Sequence, residues 1–243
     1  MISIIKAEYL KTKRSFGRKI LWIAPVITFL MAFVFTLGMS NAYAESVWNW
    51  WYTLLLPGML AIMGYLSIAK EKKIKYYNQV TLATDKRRLM LGKILYMALA
   101  LLFSNVLVFA GACVGGFLLS TSVPVGGAAE TVLVLTVTYL WLIPLSLFLS
   151  DKFGMLVNIL VCVILTAAGT VIAPSGKWLW FVSSIPMRTA CPLLHVLPNG
   201  LRAEAGNPLL NTGVILPGIA VSLCWFLAFV WLFLNRFQKK EVK

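Results

Sequence analysis

The sequence predicts an all-α integral membrane protein, a single transmembrane domain over residues 1–243 with six membrane-spanning helices and both termini in the cytoplasm. Three observations predict it. Apolar residues make up 60% of the chain and charged residues 12%, against about 45–50% and about 25% in soluble globular proteins. So few charges cannot cover a soluble fold of this length, and the mean hydropathy is +0.86. Six segments approach or exceed the roughly 20 apolar residues that cross a hydrocarbon core: 20–39, 47–69, 91–120, 131–149, 155–173 and 213–234. Finally, 22 Lys+Arg stand against 8 Asp+Glu, and 19 of the 22 fall on segments that alternate threading assigns to one face. The net charge of +14 resides wholly on that face and the other sums to zero. The positive-inside rule makes the basic face cytoplasmic. Charge confined in this way is a topology signal and gives no argument for nucleic-acid binding.

The N-terminal segment 1–19 is expected to be an amphipathic helix. Ile2, Ile5, Tyr9 and Phe16 recur at helical spacing, with Lys11, Arg14 and Arg18 on another face. Such a helix lies in the headgroup region with its cations on anionic lipid; a plain basic leader is the alternative. The leader, the first apolar run and Ala42-Tyr43-Ala44 imitate a signal peptide. The run exceeds the 7–15 residues of a signal core, so retention of span 1 is expected.

Trp48, Trp50 and Trp51 open span 2. With Trp178 and Trp180 they form a candidate outer aromatic belt, with Asn49 among them. Residues 70–90 are the largest cytoplasmic segment, in which Tyr76, Tyr77, Val80 and Leu82 interrupt a basic run. Two readings stay open: a solvated loop beside anionic lipid, or a docking element for a cytoplasmic partner. Thr84 or Asp85 caps the helix continuing into span 3. Lys93 stands at the edge of that span, which also holds Gly111 and Gly115 at the spacing that permits close helix packing.

Pro25, Pro57, Pro144 and Pro217 are expected to kink their helices. Polar groups within the spans are mild: Thr28, Thr36, Ser104, Asn105, Thr136, Asn158, Thr166 and Thr170. They are expected mostly to bond between helices. Residues 174–212 hold five of the ten prolines yet are too apolar for a solvated loop. A pair of short helices re-entering the outer leaflet fits best, its irregular backbone covered by protein.

Several chemistries have no residues to carry them. Gly92-Lys93 and Gly176-Lys177 lack the following Ser/Thr and the earlier glycine of a P-loop, so no ATP hydrolysis is expected of this chain alone. One histidine and four scattered cysteines offer neither a metal site nor a disulfide framework. No catalytic constellation is found, and no cofactor is expected in this chain.

The layout resembles the membrane subunit of ABC-2-type exporters. The stretch Thr81-Leu82-Ala83-Thr84-Asp85-Lys86-Arg87-Arg88, followed by Gly92-Lys93-Ile94-Leu95, looks like the basic entry into span 3 of such permeases. The chain is most similar to lantibiotic-immunity permeases of the MutE/EpiE (LanE) type. The carrying pieces are Ile5-Lys6-Ala7-Glu8-Tyr9-Leu10-Lys11, Lys13-Arg14-Ser15-Phe16, Ala24-Pro25, and Asn49-Trp50-Trp51-Tyr52 with Leu56-Pro57-Gly58. Ala83-Thr84-Asp85 departs from the Leu-Pro pair expected there.

The resemblance implies a connecting helix at the N-terminus, a coupling helix between spans 2 and 3, and re-entrant helices between spans 5 and 6. It makes Tyr77, Asn78, Leu82, Thr84, Asp85, Lys86 and Arg87 the surface that docks a separate ATPase, which would hold ATP and Mg²⁺. The implied partners are that ATPase, a second related six-span permease, membrane lipids and a cationic peptide antibiotic, in a bacterial plasma membrane. Trp48, Asn49, Trp50, Trp51, Trp178 and Trp180 are the expected outer-leaflet surface for substrate. Two other functions stay open: an ABC-2 permease for another lipid, drug or peptide, and a non-transporting anchor or sensor.

Overall fold

The structure is a computed structural model that describes residues 1–36, 42–73, 85–119 and 124–238. The described residues are helical apart from turns and one isolated bridge between Val196 and Arg202. In chain order the helices are α1 (Ile2–Thr12), α2 (Phe16–Thr36), α3 (Tyr43–Trp50), α4 (Leu56–Lys73), α5 (Lys86–Leu118), α6 (Val125–Thr138), α7 (Leu142–Phe153), α8 (Met155–Ile172), α9 (Ile185–Leu194) and α10 (Ile215–Gln238). Among them lie five helical stretches long and apolar enough to cross a membrane, or six if α6 and α7, bent by 43°, count as one span. This is the architecture of a multi-pass membrane protein. Its flanks agree: Phe117 and Leu216 are 85% and 79% exposed, as suits side chains that meet lipid rather than water.

The N-terminal helix is shorter than its periodicity indicated. It stops at Thr12, and the turn Lys13–Ser15 folds it back before α2 starts at Phe16. Phe16–Lys19 therefore belong to the first span. On α1, Ile2 and Tyr9 are exposed while Glu8 and Thr12 are buried against the bundle. Thr12 Oγ1 shares a hydrogen bond of 2.6 Å with the Tyr96 hydroxyl. At Gly92 a Cβ would overlap Ile4, so α1 nests on α5 where that glycine leaves room.

The prolines act in different ways. A π-helical turn over Trp51–Leu55 joins α3 to α4. There the Leu56 amide donates to Trp51 O, and Pro57 has no N–H to give. Tyr52 O is thus left without a donor in its own helix, and the Tyr139 hydroxyl supplies one. Tyr139 sits in the break between α6 and α7, where Ile143 N donates to Leu140 O over 3.1 Å, a tightened turn just before Pro144. A proline removes the bond to the carbonyl four residues back and accounts for a sharp bend. Pro25 leaves α2 unbroken over Phe16–Thr36, and Pro217 falls in the first turn of α10, where an amide is free in any helix.

The core runs through α4, α5 and α7, with Leu56, Leu60, Leu101 and Leu142 at 0% exposure. Polar groups stitch it at two levels. Asn158 Nδ2 donates to Ala61 O at 2.8 Å and to Ser150 Oγ at 2.9 Å, joining α8, α4 and α7. Asn105 Oδ1 accepts from Trp51 Nε1 at 2.8 Å, while its Nδ2 donates to Thr136 Oγ1 at 2.9 Å. Thr28, Thr166 and Thr170 instead return to carbonyls of their own helices, so only part of the expected interhelical set forms. Gly111 and Gly115 do not admit a helix backbone; the rings of Phe29 and Tyr43 fill the space a Cβ would take.

The irregular segment after α8 contains one ten-residue helix, α9, and short 3₁₀ turns, rather than the expected pair of helices. Every residue of α9 is buried. Glycines in three surrounding helices let this segment in. A Cβ at Gly127 of α6 would strike Leu193 O, one at Gly169 of α8 would strike Ser183 O, and one at Gly218 of α10 would meet Thr189 Cγ2 at 2.6 Å. His195 closes α9 in the left-handed conformation, φ 56°.

Candidate functional site

The basic ends of the helices gather at one pole. Its centre is a set of four charges from three elements, Glu8 and Lys11 of α1, Glu71 of α4 and Lys93 of α5, of which Lys11 is exposed and the other three are buried. The α1–α2 turn presents Glu8 inward, and Gly92 brings α1 close enough for Lys93 to reach it. Lys93 Nζ lies 2.8 Å from Glu8 Oε2 and 2.8 Å from Ser67 Oγ, with Glu71 Oε1 at 3.5 Å. Lys11 Nζ bridges the two acids, 2.8 Å from Glu8 Oε1 and 2.9 Å from Glu71 Oε1.

Glu8, Glu71 and Lys93 are 5%, 2% and 1% exposed, which no lone charge tolerates. The set is neutral, and each ammonium faces two carboxylates. Burial pushes the Glu8 carboxyl up, but Lys93 and Lys11 outweigh it and hold Glu8 below its usual value of 4.5. Burial likewise lowers Lys11, and the two glutamates more than reverse this, raising it above 10.5. Breaking such a set costs far more than a surface pair is worth.

A second ring of contacts extends the same pole. Lys70 Nζ donates to Lys11 O at 2.5 Å. Lys72 Nζ donates to Asp151 O at 2.6 Å and Ser150 O at 3.3 Å, supplying donors for the carbonyl end of α7. Arg236 Nε lies 3.8 Å from Asp151 Oδ2, and Arg87 Nη2 donates to Gln238 Oε1 at 2.7 Å. The helices on both sides of residues 74–84 are therefore anchored, α4 by Glu71 and Lys72, α5 by Lys93 and Arg87.

Of the expected docking residues, Tyr77, Asn78, Leu82 and Thr84 lie outside the described residues. Asp85 caps α5, accepting from Arg87 N at 3.0 Å, and both are exposed on that pole, with Lys86 half-buried between them.

At the other pole the expected aromatic surface shrinks. Trp48 and Trp51 are 1% and 0% exposed and pack in the core. The helical turn that points Trp50 outward turns its neighbours inward. Asn49 Nδ2 ties α3 to Pro198 O at 3.1 Å. Trp50 stacks on Phe35 with centroids 5.4 Å apart, and Trp178 lies under the Arg188 guanidinium at 5.8 Å. Trp180 alone of the six is fully displayed, at 86% exposure.

The charge count of the sequence does not pair Glu8, Glu71 and Lys93, which are up to 85 positions apart. The available signal was local: Glu8 is the one acid in residues 1–19, and Glu71 interrupts Lys70, Lys72 and Lys73. Among the described residues, no three His, Cys, Asp or Glu side chains are grouped to hold a metal ion. No protein-family model, curated protein or solved structure matches this chain.

Proposed function

We propose that the chain is the membrane-spanning permease subunit of an ABC-type exporter, six-spanning with both termini in the cytoplasm. ATP hydrolysis would lie with a separate subunit docked at 70–90, and a second related permease would complete the pathway. The observation that supports this reading best is the four-charge lock. It couples the N-terminal helix to both helices flanking residues 74–84, so a push on that segment moves α1, α4 and α5 together. A bland membrane anchor has no need of a neutral charge set with three buried members at the base of its helices.

The cargo follows the sequence resemblance: a cationic lanthionine peptide cleared from the membrane of a producing or resistant bacterium. A neutral outer face carrying Trp180 does not repel such a peptide. Co-purification with a candidate ATPase subunit tests the class. ATPase activity must appear only in the complex, and Arg87→Glu must weaken assembly. Loss of the chain must then sensitise cells to lantibiotics and not to unrelated drugs. Sensitivity to other drugs alone assigns a different cargo; assembly without ATPase activity leaves an anchor or sensor.

A further inference from the structure

A groove of about 580 Å³ runs between α1, α2 and the middle turns of α5, within the range of sites that hold a small ligand, about 300–1,000 Å³. Its floor is apolar: Leu21 and Trp22 from α2, Leu99 and Phe103 from α5. Trp22 and Phe103 meet edge to face, centroids 5.4 Å apart. Tyr9 of α1 closes one side and carries Arg18 over its ring at 4.8 Å. Trp22, Leu99 and Phe103 are 53%, 54% and 41% exposed, so the floor opens sideways to where acyl chains lie.

The mouth of the groove is cationic. Lys6 and Arg18 line it, and Arg18 and Trp22 also line an adjoining hollow with Lys13, Arg14 and Lys19. Among the described residues no carboxylate lines either space. Glu8, the acid of α1, is buried and held by Lys11 and Lys93. An apolar trough continuous with five uncompensated cations complements a molecule with two acyl chains and a phosphate of net negative charge. A cationic peptide is repelled by it, and a phosphate alone leaves the trough empty.

We propose that this groove is a binding site for one anionic glycerophospholipid of the leaflet at the basic pole. Its phosphate sits among Arg18, Lys19 and Lys6, and its acyl chains lie on Trp22, Leu99 and Phe103. The occupied site wedges lipid between α1 and the bundle, so the lipid sets the stance of the helix that carries Glu8 and Lys11. The proposal needs no ATPase and stands apart from the export reading.

Native mass spectrometry of the purified full-length chain tests it, with phosphatidylglycerol, phosphatidylcholine or inorganic phosphate added. One phosphatidylglycerol per chain should persist at activation that strips phosphatidylcholine. Arg18→Gln with Lys19→Gln should weaken retention about 5- to 25-fold, roughly five-fold per cation lost near anionic lipid. Leu99→Trp, which fills the trough and keeps every cation, should weaken it too. Lys6→Gln, an exposed position, gives the same reading if the double variant is unstable, and Lys177→Gln at the other pole should change nothing. Equal retention of the two lipids overturns the proposal. So does displacement of lipid by inorganic phosphate, or a Leu99→Trp chain that changes oligomeric state with lipid retention intact, which makes the occupant a second copy.

Discussion

Lys93 Nζ and Glu8 Oε2 lie 2.8 Å apart, both buried, across 85 residues of sequence. They join α1 to the base of α5, the longest helix among the described residues, and Lys11 and Glu71 complete the neutral set. Removal of Lys93 leaves two carboxylates facing Lys11 alone. Lys93→Met is therefore expected to destabilise the protein by about 3–5 kcal/mol. Glu8→Gln added to Lys93→Met removes one charge of each sign and should recover part of the loss. Melting temperatures in detergent check both, and a double variant no more stable than Lys93→Met would refute coupling between the two residues.

The same lock sets a pH dependence. The folded Glu8 carboxyl titrates below its usual 4.5, so its contribution is fully present above that value. It fades as the pH falls through the lower, folded value. Lys11 titrates above 10.5, so its contribution holds below that pH and fades as the pH rises through the folded value. Stability should thus form a plateau from about pH 5 to 10 as far as these two groups govern it. Glu8→Gln should flatten the acid limb and Lys11→Met the alkaline limb, read as melting temperature against pH.

Asn158 donates to Ala61 O and Ser150 Oγ at full burial. Asn158→Leu loses both bonds and leaves Ala61 O without that donor. A loss of about 0.6–2 kcal/mol is expected. Asn158→Asp should be worse, since it removes the donors and risks a buried charge. Heat or denaturant unfolding of the three proteins side by side provides the ranking.

Two adjacent glycines of α6 should respond in opposite ways. At Gly127 an added methyl meets the backbone carbonyl of Leu193, which cannot rotate aside. Gly127→Ala is expected to cost about 1–3 kcal/mol and to loosen α9. At Gly126 nothing lies within 4 Å, so Gly126→Ala should stabilise by up to about 1 kcal/mol through helix propensity. Protease cleavage in residues 195–214 should rise for the first variant and not for the second.

Composition and hydrophobic runs indicated the long apolar helices that the structure describes, because a bilayer selects for length and apolarity, and both are properties of a single segment. The charge bias foresaw that the basic ends of α4, α5, α7 and α10 meet at one pole. Capping of α5 by Asp85 was also readable, being a contact between residues two apart. The break at Tyr139 was signalled only in part by Pro144, since the carbonyl that Tyr139 serves belongs to Tyr52.

By itself, then, the sequence indicated an all-helical protein with several helices long and apolar enough to cross a membrane, and which helix ends carry the charge. Tertiary structure alone decided that Glu8 and Lys93 are partners, that Trp48 and Trp51 are core while Trp180 is surface, and that α1 ends at Thr12 to leave a groove beside it. The reason is physical. Burial of a charge or a ring depends on which helices come together, and that is set by where glycines let backbones approach, at Gly92, Gly127, Gly169 and Gly218, rather than by the period of any one helix.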